Sequence, residues 1–247
     1  ISVLISLAMV CRKKMIPGFR FSDLKPVRAM MSGLLKIGFP IAMQDGFIQI
    51  AFIVITIIAN RRGLNDAAAV GIVDKMISLF FLVPSSMLST VSALSAQSIG
   101  AGKHERASQT LACAMLIAVS YGAVISLLMQ FAAGSAVSLF SDNADVIRLG
   151  SQYLRSYIWD CIFAGIHFCF SGYFCAYGQS GISFLHNIIS VLCARIPLAY
   201  LASTHFPDTL FPMGISAPAG SALSVVICVI AFFWMKRRNP AFSQKTV

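Results

Sequence analysis

Six long apolar runs, separated by short polar segments, set the pattern of the chain. They cover about residues 34–59, 67–97, 107–133, 146–177, 182–204 and 214–235. An α-helix needs roughly 20 apolar residues to cross the hydrocarbon core of a bilayer, so each run is long enough to span one. The polar segments carry helix-end chemistry: Gly100-Ala-Gly-Lys-His-Glu-Arg106 ends one helix on glycine and starts the next with an acid in its first turn. Ser141-Asp-Asn-Ala-Asp145 has the residues of a helix start, and Gly178-Gln-Ser-Gly181 is a tight reversal. The predicted fold is an all-α membrane protein whose residues 34–235 form a six-transmembrane-helix lobe. Residues 1–11 read as the end of a truncated transmembrane helix and 236–247 as a cytoplasmic tail. Between them, 12–33 form a basic cytoplasmic loop; within it Ser22 offers an N-cap, and Leu24, Val27, Met30 and Met31 recur at helical spacing, as in an amphipathic interfacial helix.

Composition agrees with the pattern. Of 247 residues, 57% are hydrophobic and only 11% charged, and the mean hydropathy of +0.80 lies outside the range of a water-soluble domain. The net charge of +10 does not point to nucleic acid, because thirteen of the nineteen basic residues fall in the 12–36 segment, the 98–106 turn and the tail, alternating with the spans. That asymmetry places these segments in the cytoplasm and the chain in the plasma membrane as a multi-pass protein. The seven cysteines lie in apolar runs without Cys-x-x-Cys spacing or a histidine partner pattern, and read as small buried hydrophobes rather than metal ligands.

Polar residues inside the runs carry the candidate chemistry. Asp45 falls near the middle of the first run, where an ionisable group costs about 2.5–3.5 kcal/mol and is expected to face a bundle interior or a water-filled cavity. Gln44 adjoins it, and Gln49 is four residues on, hence on the same helix face. Asp160 and His167 are seven apart on the fourth run and share a face that Ser171 continues. Two mid-membrane carboxylates on different helices suit a cation, either a proton or sodium, with which a cationic substrate exchanges. Arg195 on the fifth run offers Asp160 a partner, so the pair has a structural reading too, a buried ion pair that locks two helices. Asp45 has no such basic partner in sequence and reads as the exchangeable site. Asp74 is a further cleft candidate; Lys75, adjacent to it, points about 100° away and is expected to snorkel outward. Pro40, Pro84 and Pro197 each fall within a run and predict kinks.

Three segments in order, Ile37-Gly-Phe-Pro-Ile-Ala-Met-Gln44, Ile58-Ala-Asn-Arg-Arg-Gly63 and Ala93-Leu-Ser-Ala-Gln-Ser-Ile-Gly-Ala-Gly-Lys-His-Glu-Arg-Ala107, resemble the second half of multidrug and toxic compound extrusion (MATE) transporters. Gly172-Tyr-Phe-Cys-Ala-Tyr-Gly178 stands where the family shows a Gly-x-Leu-Arg-Gly-x-Gly-like element, with Cys175 replacing the Arg, and Arg195-Ile-Pro-Leu-Ala-Tyr200 is similar to its penultimate helix. The resemblance implies twelve helices in two lobes around a cleft, of which this chain is the second, facing an amino-terminal six-helix lobe. It implies a secondary antiporter, coupled to sodium or protons and without a further cofactor, that exports cationic or amphipathic compounds across the lipid bilayer. One subgroup uses acids on the seventh and tenth helices; here these are Asp45 and Asp160, the latter one turn before the usual position, which Ala164 occupies.

Two other readings stand beside it. A lipid or oligosaccharide flippase of the same superfamily needs a cleft rich in Arg and Lys, whereas away from their ends, where Lys36 and Arg148 fall, the runs hold only Lys75, Arg155 and Arg195. An intramembrane enzyme built on Asp160, His167 and a cysteine lacks a recognisable nucleophile motif.

Overall fold

The structure is a computed structural model that describes residues 28–238. Expectations for the helix end at 1–11, the basic loop with its Ser22 cap, and residues 239–247 of the tail lie outside the described residues. The chain divides into two units, 1–36 and 37–247, and the second carries the lobe.

The helices are α1 (Arg28–Arg62), α2 (Leu64–Phe80), α3 (Leu82–Gly100), α4 (His104–Ser138), α5 (Ala144–Tyr157), α6 (Asp160–Ala176), α7 (Ser180–Ser190), α8 (Ile196–His205) and α9 (Phe211–Arg238). A π-helical turn, Val191–Arg195, joins α7 to α8. Among the described residues five segments are long and apolar enough to cross a membrane, and the pair α5–α6, bent by 42°, makes a sixth. Six spans therefore correspond to the six apolar runs. The first helix is already formed at Arg28, so the apolar start at Leu34 marks entry into lipid rather than the start of the helix.

The breaks follow backbone chemistry only in part. Phe81 interrupts the second span, three residues before Pro84. The π turn ends just before Pro197, whose missing N–H removes one α-helical bond, and Ile196 N–H reaches back to the carbonyl of Val191 instead. Pro40, by contrast, sits inside an uninterrupted α-helix, so the kink expected there does not break α1. The bend at Ile158–Trp159 has no proline or glycine behind it.

Packing leaves a polar layer between two apolar ones. One cluster gathers Ile55, Val73, Ile77, Val137, Tyr157, Ile158, Ala199, Met213 and Ala217. The other gathers Val91, Leu111, Ala118, Cys169, Phe170, Phe174 and Cys228. On α9 the buried Ser221 and Ser224 fall between Ala217 and Cys228, and on α6 Asp160 and His167 fall between Ile158 and Cys169. The order apolar–polar–apolar along each helix puts the polar layer near mid-depth. Leu116, Phe131, Ile230 and other large apolar residues point outward, as lipid-facing helices require, since no other solvent there favours them. Cys161, Cys169, Cys175 and Cys228 are buried, but Cys113 and Cys193 are exposed on the outer surface, which corrects the reading of all cysteines as core residues. An apolar run does not say which of its faces meets lipid.

One side chain ties the outer ends together. Arg62 donates from Nε to Asp66 at 2.6 Å, from Nη1 to the carbonyls of Ser203 and Phe206 at 3.3 and 3.0 Å, and from Nη2 to those of Pro207 and Thr209 at 2.7 and 3.1 Å. Carbonyls at a helix end lack intrahelical donors, and the guanidinium fork supplies them for the α8–α9 turn.

Candidate functional site

The polar layer is built by helix ends and small residues. Asp160 opens α6, placing its carboxylate at the positive end of that helix. Arg195 closes the π turn. Gly220 of α9 lets the turn approach, since a Cβ there would meet Arg195 Cβ at 3.2 Å, and its carbonyl accepts from Ser190 Oγ at 2.5 Å.

Asp160 is 1% exposed and lies 3.9 Å from Arg195 Nη2. At that length it is an ion pair without a hydrogen bond, and among the described residues neither carboxylate oxygen has a hydrogen bond of full geometry, although the Ser221 hydroxyl stands near enough to act on it. Arg195 donates instead to the Tyr157 hydroxyl, and its guanidinium stands 5.1 Å from the centre of the Phe52 ring and 5.5 Å from that of Tyr157. His167 is buried with Nδ1 unpartnered. These three ionisable groups line one enclosed cavity of about 60 Å³, together with Asn187, Ser221 and Ser224.

Behind His167 stands His186, 5.6 Å away between ring centres. Its Nε2 is 2.9 Å from Ser171 Oγ and its Nδ1 3.2 Å from Ser224 Oγ, while Ser224 donates to the His186 carbonyl at 3.2 Å. Ser224 has one proton and uses it there, so the pattern fits a neutral imidazole protonated on Nδ1, with Ser171 donating to Nε2. His186 was not singled out in the sequence, though a signal exists: Ser183, His186, Asn187 and Ser190 recur at helical spacing on an apolar helix, and all four are buried.

The first helix presents two faces. Gln44 points inward, accepting from Ser183 Oγ at 2.8 Å with its Nε2 left unpaired. Asp45 is exposed on the other side, so within this lobe it does not face the interior expected for it, because the adjacent Gln44 takes the buried position. Gln49, one turn on, lines a groove of about 360 Å³ with Phe52, Thr56, Asp74, Lys75 and Ser78. Asp74 is half-buried there, one carboxylate oxygen lacking a partner, and Lys75 is exposed beside it without pairing to it. The structure thus brings together Asp160, His167 and Arg195 around one cavity and Gln49 and Asp74 around the groove, with Arg195 near enough to act on the charge of Asp74 as well as on that of Asp160. Asp45 joins neither set. Phe52 is the wall shared by groove and cavity.

No group of three His, Cys, Asp or Glu able to hold a metal ion occurs among the described residues.

Six spans in one lobe, with buried ionisable side chains between two apolar layers, define a multi-pass membrane protein. The MatE family model matches residues 40–201. The chain belongs to the MatE family. Among its relatives, the probable multidrug resistance protein YoeA of Bacillus subtilis is 23% identical over 87% of this chain and 47% of its own length. The probable multidrug resistance protein NorM of Mesorhizobium japonicum is 28% identical over 83% of the chain and 45% of its own length. The structure of a mutant of the Vibrio cholerae MATE transporter VcmN superposes with a TM-score of 0.87 at 14% identity, covering 98% of this chain and 54% of that one. The fold is therefore half of the MATE transporter fold, and the chain spans about half the length of the curated relatives it matches. Members of this family are transporters, which removes the intramembrane-enzyme reading.

Proposed function

We propose that the chain works as one lobe of a secondary antiporter that exports cationic or amphipathic compounds, driven by a sodium or proton gradient, opposite a second six-helix lobe. The observation that carries this reading is the enclosed cavity around Asp160, His167 and Arg195, whose polar atoms are buried at membrane depth and incompletely hydrogen-bonded. Such a group is costly unless it serves an ion or a proton. Size separates the roles. A cavity of about 60 Å³ has room for an ion or a water but not for a drug. The groove of about 360 Å³ lies within the range of small-molecule sites and offers an aromatic wall, Phe52, with a carboxylate, Asp74. This assigns the coupling ion to Asp160 and the organic cation to the groove that carries Asp74 and Gln49, reversing the order read from the sequence.

The relatives named as multidrug resistance proteins support export of foreign compounds. A flippase is disfavoured, since a cleft for anionic head groups needs several cations and the groove is lined by one, Lys75, beside an acid, Asp74. The test is export of an organic cation from proteoliposomes holding the chain in its complete natural reading frame, under imposed sodium and pH gradients in turn. Export that follows one gradient, and is lost with Asp160→Asn, supports the reading; export indifferent to both gradients overturns it.

A further inference from the structure

The stretch from Gln97 to Arg106, which separates α3 from α4, is not used by the transport reading. Its own structure points elsewhere. Gly102 adopts φ +72°, which lets the chain reverse within three residues, and Lys103 N–H closes the turn on the carbonyl of Ser98 at 2.9 Å. Beside the turn lies a cavity of about 210 Å³, lined by Leu94, Gln97, Ser98, Lys103, Arg106 and Thr110. Two of its seven lining residues, the seventh being Ala101, are cations, both exposed, and neither has an ion pair among the described residues. Glu105 lies between them in sequence yet does not line the cavity.

Four features define what fits. The two cations match a group of at least one negative charge, and the Arg fork favours planar or tetrahedral oxyanions. The side chain of Lys103 makes no cap bond at the start of α4, and the positive end of that helix beside the cavity favours an anion. Gln97 and Thr110 add neutral polar groups. Leu94, about two turns deeper along α3 and 46% exposed, gives the same recess an apolar floor, and Leu116 and Ile117, further along α4, are exposed apolar residues. A soluble anion needs only the first three features; an acyl chain uses the fourth.

Location narrows it further. The turn joins two membrane spans, 64–100 and 104–138, so the cavity sits at the level of the lipid headgroups. By its charge this end is cytoplasmic, the side where anionic lipids give a negative surface potential. We propose that the Lys103–Arg106 cavity binds the phosphate of an anionic phospholipid of the cytoplasmic leaflet, with the acyl chains lying along Leu94 and the outer face of α4.

The fold gives this site a mechanical reach. Immediately after Lys103, His104 Nδ1 lies 3.1 Å from the Tyr177 hydroxyl, so the turn is fastened to the cytoplasmic end of α6, the helix that begins with Asp160.

The test uses the chain in its complete natural reading frame, in nanodiscs of phosphatidylcholine with and without one-fifth phosphatidylglycerol, with retained lipid counted by native mass spectrometry. Lys103→Gln with Arg106→Gln should lower retained phosphatidylglycerol by about fivefold per cation removed. Lys236→Gln with Arg237→Gln, on the same side, should leave it unchanged. The swap Lys103→Arg with Arg106→Lys, which keeps both charges, should retain most binding and shows that the loss is not one of folding. Inorganic phosphate at millimolar concentration should not displace the lipid. If the two neutralised pairs lose lipid equally, the effect is general surface charge and the site is refuted. If phosphate binds the detergent-purified protein at this cavity as tightly as the lipid does, the ligand is a soluble anion and the lipid assignment fails.

Discussion

The guanidinium of Arg195 stands 3.9 Å from the carboxylate of Asp160 yet gives its hydrogen bond to Tyr157. The acid is therefore charge-compensated without a direct hydrogen bond from the arginine, with Ser221 its nearest hydroxyl in the adjoining cavity. On the proposed reading those oxygens serve a small cation or a proton; on the structural one the pair only locks helices together, and unfolding and transport measurements separate the two.

Removing either partner strands the other charge. Arg195→Leu should lower stability by about 3–5 kcal/mol, the usual cost of an orphaned buried charge. Adding Asp160→Asn to it should recover part of that loss, as non-additivity between contacting residues requires. Thermal unfolding in detergent reads both; a double variant no more stable than Arg195→Leu alone would show that the pair is not coupled.

Transport should divide the carboxylates. Asp160→Asn should abolish gradient-driven export while an organic cation still binds, whereas Asp74→Asn should weaken cation binding by about tenfold, near 1.4 kcal/mol, with coupling retained. Asp45→Asn is expected to change substrate range or affinity rather than coupling, because Asp45 lies on the exposed face of α1. Binding by tryptophan-independent fluorescence of a dye substrate, beside proteoliposome efflux, distinguishes the two effects. Loss of coupling in Asp45→Asn with normal coupling in Asp160→Asn would invert the assignment.

Arg62 should matter more than an exposed loop arginine. Its four carbonyl contacts and the bond to Asp66 are made by a planar fork that lysine cannot reproduce. Arg62→Lys is expected to lose about 2–3 kcal/mol, the range of one or two charge-assisted bonds, and to expose residues 206–209 to protease. The equivalent change at the neighbouring Arg61, which is exposed, should alter neither.

Two glycines predict opposite signs. A Cβ on Gly172 would run into the carbonyl of Leu88, where α6 meets α3, so Gly172→Ala should cost about 2–3 kcal/mol. Around Gly71 of α2 a Cβ meets nothing within 4 Å, and Gly71→Ala should stabilise by about 0.5–1 kcal/mol. Melting temperatures of the two variants that move in the same direction would contradict the packing described here.

Cysteines introduced at Asn65 and Asp142 should be labelled from one side of the membrane, and one at Lys103 only from the other. The helix order puts an odd number of spans between Lys103 and each of the other two positions. The charge pattern assigns Asn65 and Asp142 to the outside.

Much of this molecule follows from the chain read alone. Six spans, their ends, and the presence of ionisable groups at depth are one-dimensional properties, because crossing a hydrocarbon core imposes a length and an apolar composition on each segment separately. The glycine turns at 102 and 178 were readable for the same reason: a positive φ is a local demand. Partnership is not local. Asp45 and Gln44 are equally polar neighbours in an apolar run, and only the approach of Ser183 decides that Gln44 is inside and Asp45 outside. Pro40 and Pro197 look alike in sequence, yet only the second adjoins a π turn, where α9 packs closely at Gly220. The Ile158–Trp159 bend carries no breaker residue; α5 lies against α2 and α6 against α3, the two halves of the broken second span, while α4 and α9 pack on both. That bend puts Asp160 at a helix start and within reach of Arg195, thirty-five residues away along the chain. A span's composition decides that it enters the membrane; the packing of its faces against other spans decides which of its polar groups meet.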